Sequence, residues 1–245
     1  MAPKFRHLAA LLLALAAAGC TTTTPPPSQM GLDPNDPYEA QNRKVFAFNM
    51  KLDEYVALPV AKFYVHVVPE PARDGVHNFL ANLDVPITFG NDVLQGAADH
   101  AAQSLGRFVI NSSIGVGGLI DVAQKIGIPE HDADFGETLG VWGVGPGPYL
   151  VLPILGPSDP RDAVGYGVDI AMDPLTWISW RSSTYFLIGR GVLKFVDERS
   201  RNIGTLDELE RSSVDLYATL RSLYRQHREA EIHGGQPSLE NLPNF

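Results

Sequence analysis

Residues 87–127, "ITFGNDVLQGAADHAAQSLGRFVINSSIGVGGLIDVAQKIG", read as two helices broken near Gly96. The second is apolar almost all round, through Leu105, Phe108, Val109, Ile110, Ile114, Val116, Leu119 and Ile120. A helix without a polar face is buried, either in protein or in lipid. Taken alone, these residues fit a protein core better than a lipid-facing surface, because all-apolar helices also occur inside large soluble proteins. Gly115, Gly117 and Gly118 follow. They permit close backbone approach, at a cost of about 1 kcal/mol each in helix propensity.

Upstream, Asp36-Pro37 opens a helix, with a capping acid followed by proline at the first helical position. Tyr38, Asn42, Val45, Asn49 and Leu52 recur at helical spacing, with Phe46 and Phe48 on neighbouring faces. Pro59 ends or kinks this element, and short elements punctuated by Pro69, Pro71 and Pro86 follow. Downstream, Asp132 to Asp159 is dense in Gly and Pro and reads as loops with one short hairpin, "YLVLPIL" (149–155) being its most strand-like piece. Residues 160–198 return to helix, with Trp177, Trp180, Tyr185 and Phe186 close together in sequence. Thr205 and Glu208 form a capping box for a last helix, whose apolar stripe is Leu206, Leu209, Leu216, Leu220, Leu223 and Tyr224. Gly234-Gly235 stops it, and 234–245 is a polar tail. The fold class is mainly α.

The chain begins with a basic start (Lys4, Arg6), an apolar run from Leu8 to Ala18, and small residues before Cys20, its one cysteine. That is the layout of an export signal over 1–19. Ala17-Ala18-Gly19-Cys20 resembles the lipobox of bacterial lipoproteins, in which the cysteine is acylated and becomes the first mature residue. Thr21 in place of Asp favours the outer membrane. Thr- and Pro-rich residues 20–36 read as a lipidated flexible tether to a domain at 37–233. Net charge is −9, and −11 once Lys4 and Arg6 leave with the signal. So acidic a chain does not suit nucleic acid, and any membrane contact must be mainly apolar.

No nucleophile–base motif or metal-ligand spacing stands out, and no enzyme activity, cofactor or metal is expected. Pro146 and Pro148 in "GVGPGP" (143–148) rule out the helix start that a phosphate cradle needs. His131, Asp132, Asp134 and Glu137 could ligate a metal, but read better as a solvated acidic loop.

Several stretches in order, "DPYEAQNRKVFAFNMKLDEY", "VPEPARDGVHNFLANLDVP", "NDVLQG", "RFVINSSIGVGGLIDVA" and "DFGETLGVWGVGPGPYLVLPILGPSDPRDAVG", resemble the MlaA (VacJ) lipoproteins. The likeness runs from about Asp36 to about Tyr224. It implies a mostly helical ring lying in the outer membrane of a Gram-negative cell, with an amphipathic channel. Misplaced outer-leaflet phospholipids would pass through it to a soluble periplasmic carrier, and the lipoprotein would associate with a trimeric porin. The family's "NR…FN" pattern falls on Asn42, Arg43, Phe48 and Asn49, which become candidates for lipid contact. For Asn49, a helix-face hydrogen bond to a neighbouring loop is an equal alternative. Gly115, Gly117 and Gly118 resemble the family's flexible hairpin beside the channel and are candidate hinges. The rival readings are a structural adaptor lipoprotein that moves no lipid, and a phospholipase.

Overall fold

The computed structural model describes residues 36–178 and 183–234. The leader, Cys20, the tether, Trp180 and the tail beyond Gly234 lie outside these residues. The fold below is that of the unit beginning at Tyr38.

Pro59 does not end the first helix. α1 (Glu39–Leu52), with Tyr38 in the capping position, runs into a π-helical turn (Asp53–Ala57) and on into α2 (Leu58–Val67). A proline inside a helix crowds the carbonyl four residues back. The wider turn makes room, and Leu58 N–H reaches back to the Asp53 carbonyl.

Nor does Pro86 divide the next segment. α3 is one helix from Glu70 to Gln95, opened by the extended Pro69 and closed by Gly96 in the left-handed conformation (φ 74°). An internal proline costs about 3 kcal/mol. Here α3 packs along α4 (Ala98–Ser113) in the most extensive helix pairing of the fold, which offsets that local cost.

α4 is inside out. Its buried residues are Ala101, Ser104, Arg107 and Asn111. Leu105, Val109 and Ile114 face outward, Ile114 at 69% exposure, and Val116, Leu119 and Ile120 are exposed beyond the helix. The expectation that this segment is protein core is therefore overturned. The buried face is polar because Arg107 bonds the Ile128 carbonyl (2.8 Å) and Asp121 (2.9 Å), and Asn111 accepts from Val122 and Ala123 N–H (2.9 Å each).

After α5 (Val122–Lys125) and α6 (Phe135–Val141), β1 (Leu150–Leu152) and β2 (Gly156–Ser158) form an antiparallel hairpin, Leu150 opposite Ser158. α7 (Pro160–Met172), α8 (Pro174–Trp177) and α9 (Ser183–Arg201) follow. The expected last helix is two. α10 (Ile203–Ser212) starts after Asn202, so Thr205 lies inside it and caps nothing. The chain is extended at Ser213, and Asp215 caps α11 (Leu216–Ile232) by accepting from Ala218 N–H.

A small apolar core of Tyr149, Val151 and Tyr217 packs with Val45, Phe46 and Tyr224, Phe46 meeting Tyr217 edge to face at 5.6 Å. Elsewhere, buried polar side chains outnumber buried apolar ones among the described residues. Large apolar side chains such as Phe48, Tyr55, Phe63, Trp177, Tyr185 and Val192 are exposed. No helix among the described residues is long and apolar enough to cross a membrane.

Candidate functional site

A cavity of about 700 Å³, open to the surface, is lined by both charged and apolar side chains. α3 supplies Asp84, Ile87 and Thr88, the loop before α6 supplies Asp132 and Asp134, and α6 supplies Glu137. Tyr166, Asp169 and Ile170 of α7 and Leu187, Ile188, Arg190 and Lys194 of α9 complete most of the wall. A second cavity, about 270 Å³, shares Asp134, Tyr166 and Asp169 and reaches Leu152, Leu155 and Pro157 at the hairpin. Both cavities are lined by apolar side chains as well as charged ones.

Ion pairs hold the wall. Arg190 joins Asp84 of α3 to Asp173, 2.5 Å from the latter, and Lys194 lies 2.7 Å from Asp84. Arg228 of α11 bonds Asp134 (2.7 and 2.9 Å), Asp162 (2.9 Å) and Glu231 (2.9 Å). Asn91, fully buried, donates to the Ala133 carbonyl (3.3 Å) and to Asp169 (2.9 Å) and accepts from the Thr138 hydroxyl (3.0 Å). One amide thus ties α3, the loop, α6 and α7 together. Where α6 crosses α7, Gly165 lies against Gly136: a Cβ on Gly165 would stand 2.3 Å from the Gly136 nitrogen.

Burial raises the Asp169 carboxyl above its ordinary value, although bonds from Asn91 and the Phe135 N–H pull it back. Glu137 is pushed up to about 7, by burial first and then by the Asp134 and Glu231 carboxylates. An acid whose folded pKa is raised stabilises the fold only while protonated. That contribution is complete below the ordinary value of 4.5 and is lost as pH rises towards about 7. Glu137→Gln should therefore flatten the loss of stability across this window. It should also raise Tm at pH 8 by roughly 2–4 °C, the equivalent of about 1 kcal/mol after allowing for solvent screening. Thermal unfolding of both proteins at pH 5 and pH 8 checks this; parallel behaviour would count against a strained Glu137.

The MlaA lipoprotein family matches residues 34–231. The chain belongs to that family. It is 36% identical over 214 residues to the intermembrane phospholipid transport system lipoprotein MlaA of Escherichia coli, covering 86% of this chain and 83% of that one. It is 38% identical over 198 residues to an uncharacterised protein of Rickettsia bellii, covering 80% of this chain and 76% of the relative. A solved structure from work on the structural basis for maintenance of bacterial outer membrane lipid asymmetry superposes with a TM-score of 0.72 at 34% identity, over 80% of this chain and 98% of that one.

The residues of the MlaA "NR…FN" pattern line neither cavity. Asn42 donates to the Tyr149 carbonyl (2.9 Å) and accepts from Val151 N–H (3.0 Å). Asn49 donates to the Leu152 carbonyl (2.9 Å) and accepts from Ile154 N–H (2.8 Å). Both amides hold the hairpin, so the hydrogen-bonding alternative describes Asn49, and Asn42 with it. Arg43 bonds Glu39 (2.7 Å) and Asp215 (2.6 Å) and lies over the Tyr217 ring. Phe48 is exposed.

Gly115 and Gly118 are close-packed, a Cβ on Gly118 falling 2.6 Å from the Asn82 side chain, while Gly117 (φ 70°) has open space around it. Asp132, Asp134 and Glu137 sit on the cavity wall, while His131 turns to Asp92. Sequence reading missed Asp84, Asp169, Arg190 and Lys194. A signal existed for the last two, one helical turn apart in an otherwise apolar stretch.

Proposed function

We propose that this MlaA family member is an outer-membrane lipoprotein that draws misplaced phospholipids from the outer leaflet through its amphipathic passage and delivers them to a soluble periplasmic carrier. Acyl chains on Cys20 would anchor it, and a trimeric porin would be its membrane partner. The observation that carries the reading is the inverted burial pattern. Apolar side chains of α2, α4 and α9 face outward, as a lipid-immersed surface requires, while charged side chains face a passage inside. A head group would meet both signs of charge beside Asp84, Arg190 and Lys194, and acyl chains would meet Ile87, Ile170, Leu187 and Ile188. Gly117, left-handed and unobstructed, suits a hinge.

The test follows labelled phospholipid from membranes with outer-leaflet defects to a soluble acceptor. Transfer should require the protein. Equal transfer without it would leave the adaptor reading, and released fatty acid would point to an enzyme. Anchoring and insertion separate in a Cys20→Ser protein. The wild type should carry acyl mass on Cys20, seen by intact mass spectrometry, and high salt should not extract it, because apolar contact is insensitive to screening. Cys20→Ser should still need detergent. A monodisperse monomer in plain buffer would overturn the embedded ring.

A further inference from the structure

One cluster plays no part in the passage. Asp92 near the end of α3 is 1% exposed and accepts from the Ser104 hydroxyl at 2.6 Å. His131, in the loop before α6, places Nε2 3.1 Å from both Asp92 oxygens. His100 comes from the first turn of α4, its ring 4.7 Å from that of His131 and inclined at 40°. One donor atom from each of the three lies within 4.8 Å of the others.

An ordinary His–Asp pair would explain Asp92, Ser104 and His131, but it does not involve His100. Exposed on the surface, that side chain would gain freedom by pointing into water. Instead its ring is tilted onto His131, neither stacked flat nor edge-on. Two imidazoles and one carboxylate form a donor set that suits zinc-like divalent cations, whereas calcium and magnesium prefer all-oxygen sites. Tetrahedral zinc with bonds of about 2.0–2.1 Å needs its ligand atoms about 3.4 Å apart. The remaining closure falls to His100, which has solvent around it, while buried Asp92 stays fixed by Ser104.

We propose that Asp92, His100 and His131 bind one divalent transition-metal cation of the zinc type, with a fourth position open to water on the exposed side. The ion would pin the loop that carries Asp132 and Asp134, and so one wall of the passage, to the α3–α4 turn.

The experiment uses the full chain in detergent, stripped with EDTA and dialysed against ZnCl₂, with bound metal counted by elemental mass spectrometry. The expected result is one zinc per chain, not displaced by excess Mg²⁺ or Ca²⁺. A hundredfold excess over Kd should raise Tm by roughly 5–10 °C. His100→Gln should lower zinc affinity at least tenfold while leaving the metal-free Tm unchanged, since His100 is exposed, so a failure to bind would not be a failure to fold. His131→Gln should lose binding too. Co²⁺ should give intense tetrahedral absorption bands that vanish in His100→Gln. Absence of binding, equal binding by His100→Gln (as the exposed histidines of α11 would give), or displacement by Mg²⁺ would each overturn the site.

Discussion

Gly165→Ala should cost about 3 kcal/mol or more and lower Tm by roughly 6–12 °C. The new Cβ would stand 2.3 Å from the Gly136 nitrogen and 2.6 Å from its Cα. Both obstacles are backbone, so no side chain can swing aside, and α6 and α7 would have to separate. Their separation would also disturb the neighbouring network in which Arg228 joins Asp134 to Asp162. Gly167, two residues on in the same helix, is the control: nothing lies within 4 Å of its added Cβ. Gly167→Ala should be neutral or stabilising by about 0.5–1 kcal/mol, because alanine is the better helix former. Thermal unfolding of the two variants side by side decides the matter. Equal Tm values would show that the helices are not in backbone contact.

The same crossing shows why parts of this fold were hidden in the sequence. Most helices and the hairpin were legible, since period, Gly96 and the β-rich run 149–155 are local signals, but α6 falls inside the Gly/Pro-dense stretch 132–159 that reads as loops. What could not be read locally was which face of a helix points inward. Ser104, Arg107 and Asn111 fall three and four residues apart on one stripe of α4, and in water that stripe would face solvent. Here it is the interior, because Asp121, Ile128 and the residues around them supply its partners from further along the chain. Pro86 misled for a related reason: its cost is local, whereas the compensating contact with α4 is tertiary. The lining of the larger cavity was the least legible part. Asp84, Glu137, Asp169 and Arg190 are spread over more than a hundred residues, and only the packing of α3, α6, α7 and α9 brings them together. The family resemblance indicated that a channel should exist, but not which residues line it.

Asn42→Leu should lower Tm by roughly 5–15 °C and reduce protein level, because the amide is a structural element of the hairpin. The spacing argues for this. Seven residues of α1 between Asn42 and Asn49 rise about 10.5 Å, and three residues of an extended strand span about 10 Å. Each amide therefore meets the next repeat of the same pattern, a carbonyl at one residue and an N–H two residues on: 149 and 151 for Asn42, 152 and 154 for Asn49. β1 pairs with β2 along one edge; Asn42 bonds its other edge, and Asn49 bonds its last carbonyl and the N–H of Ile154 in the turn that follows. Leucine at 42 would remove the amide bonds to the Tyr149 carbonyl and the Val151 N–H at a buried site, at about 1–3 kcal/mol for a buried group that loses its partner. Asn49 is only half-buried, and water can replace its amide in part, so Asn49→Leu should cost less, about 1 kcal/mol. The alternative, in which these amides meet lipid head groups, makes the opposite forecast. The double variant would keep its Tm and membrane insertion, and its phospholipid transfer per inserted molecule would fall. Measuring both quantities on the same preparations separates the two. A melting temperature unchanged by Asn42→Leu would refute the anchoring role, whatever happened to transfer.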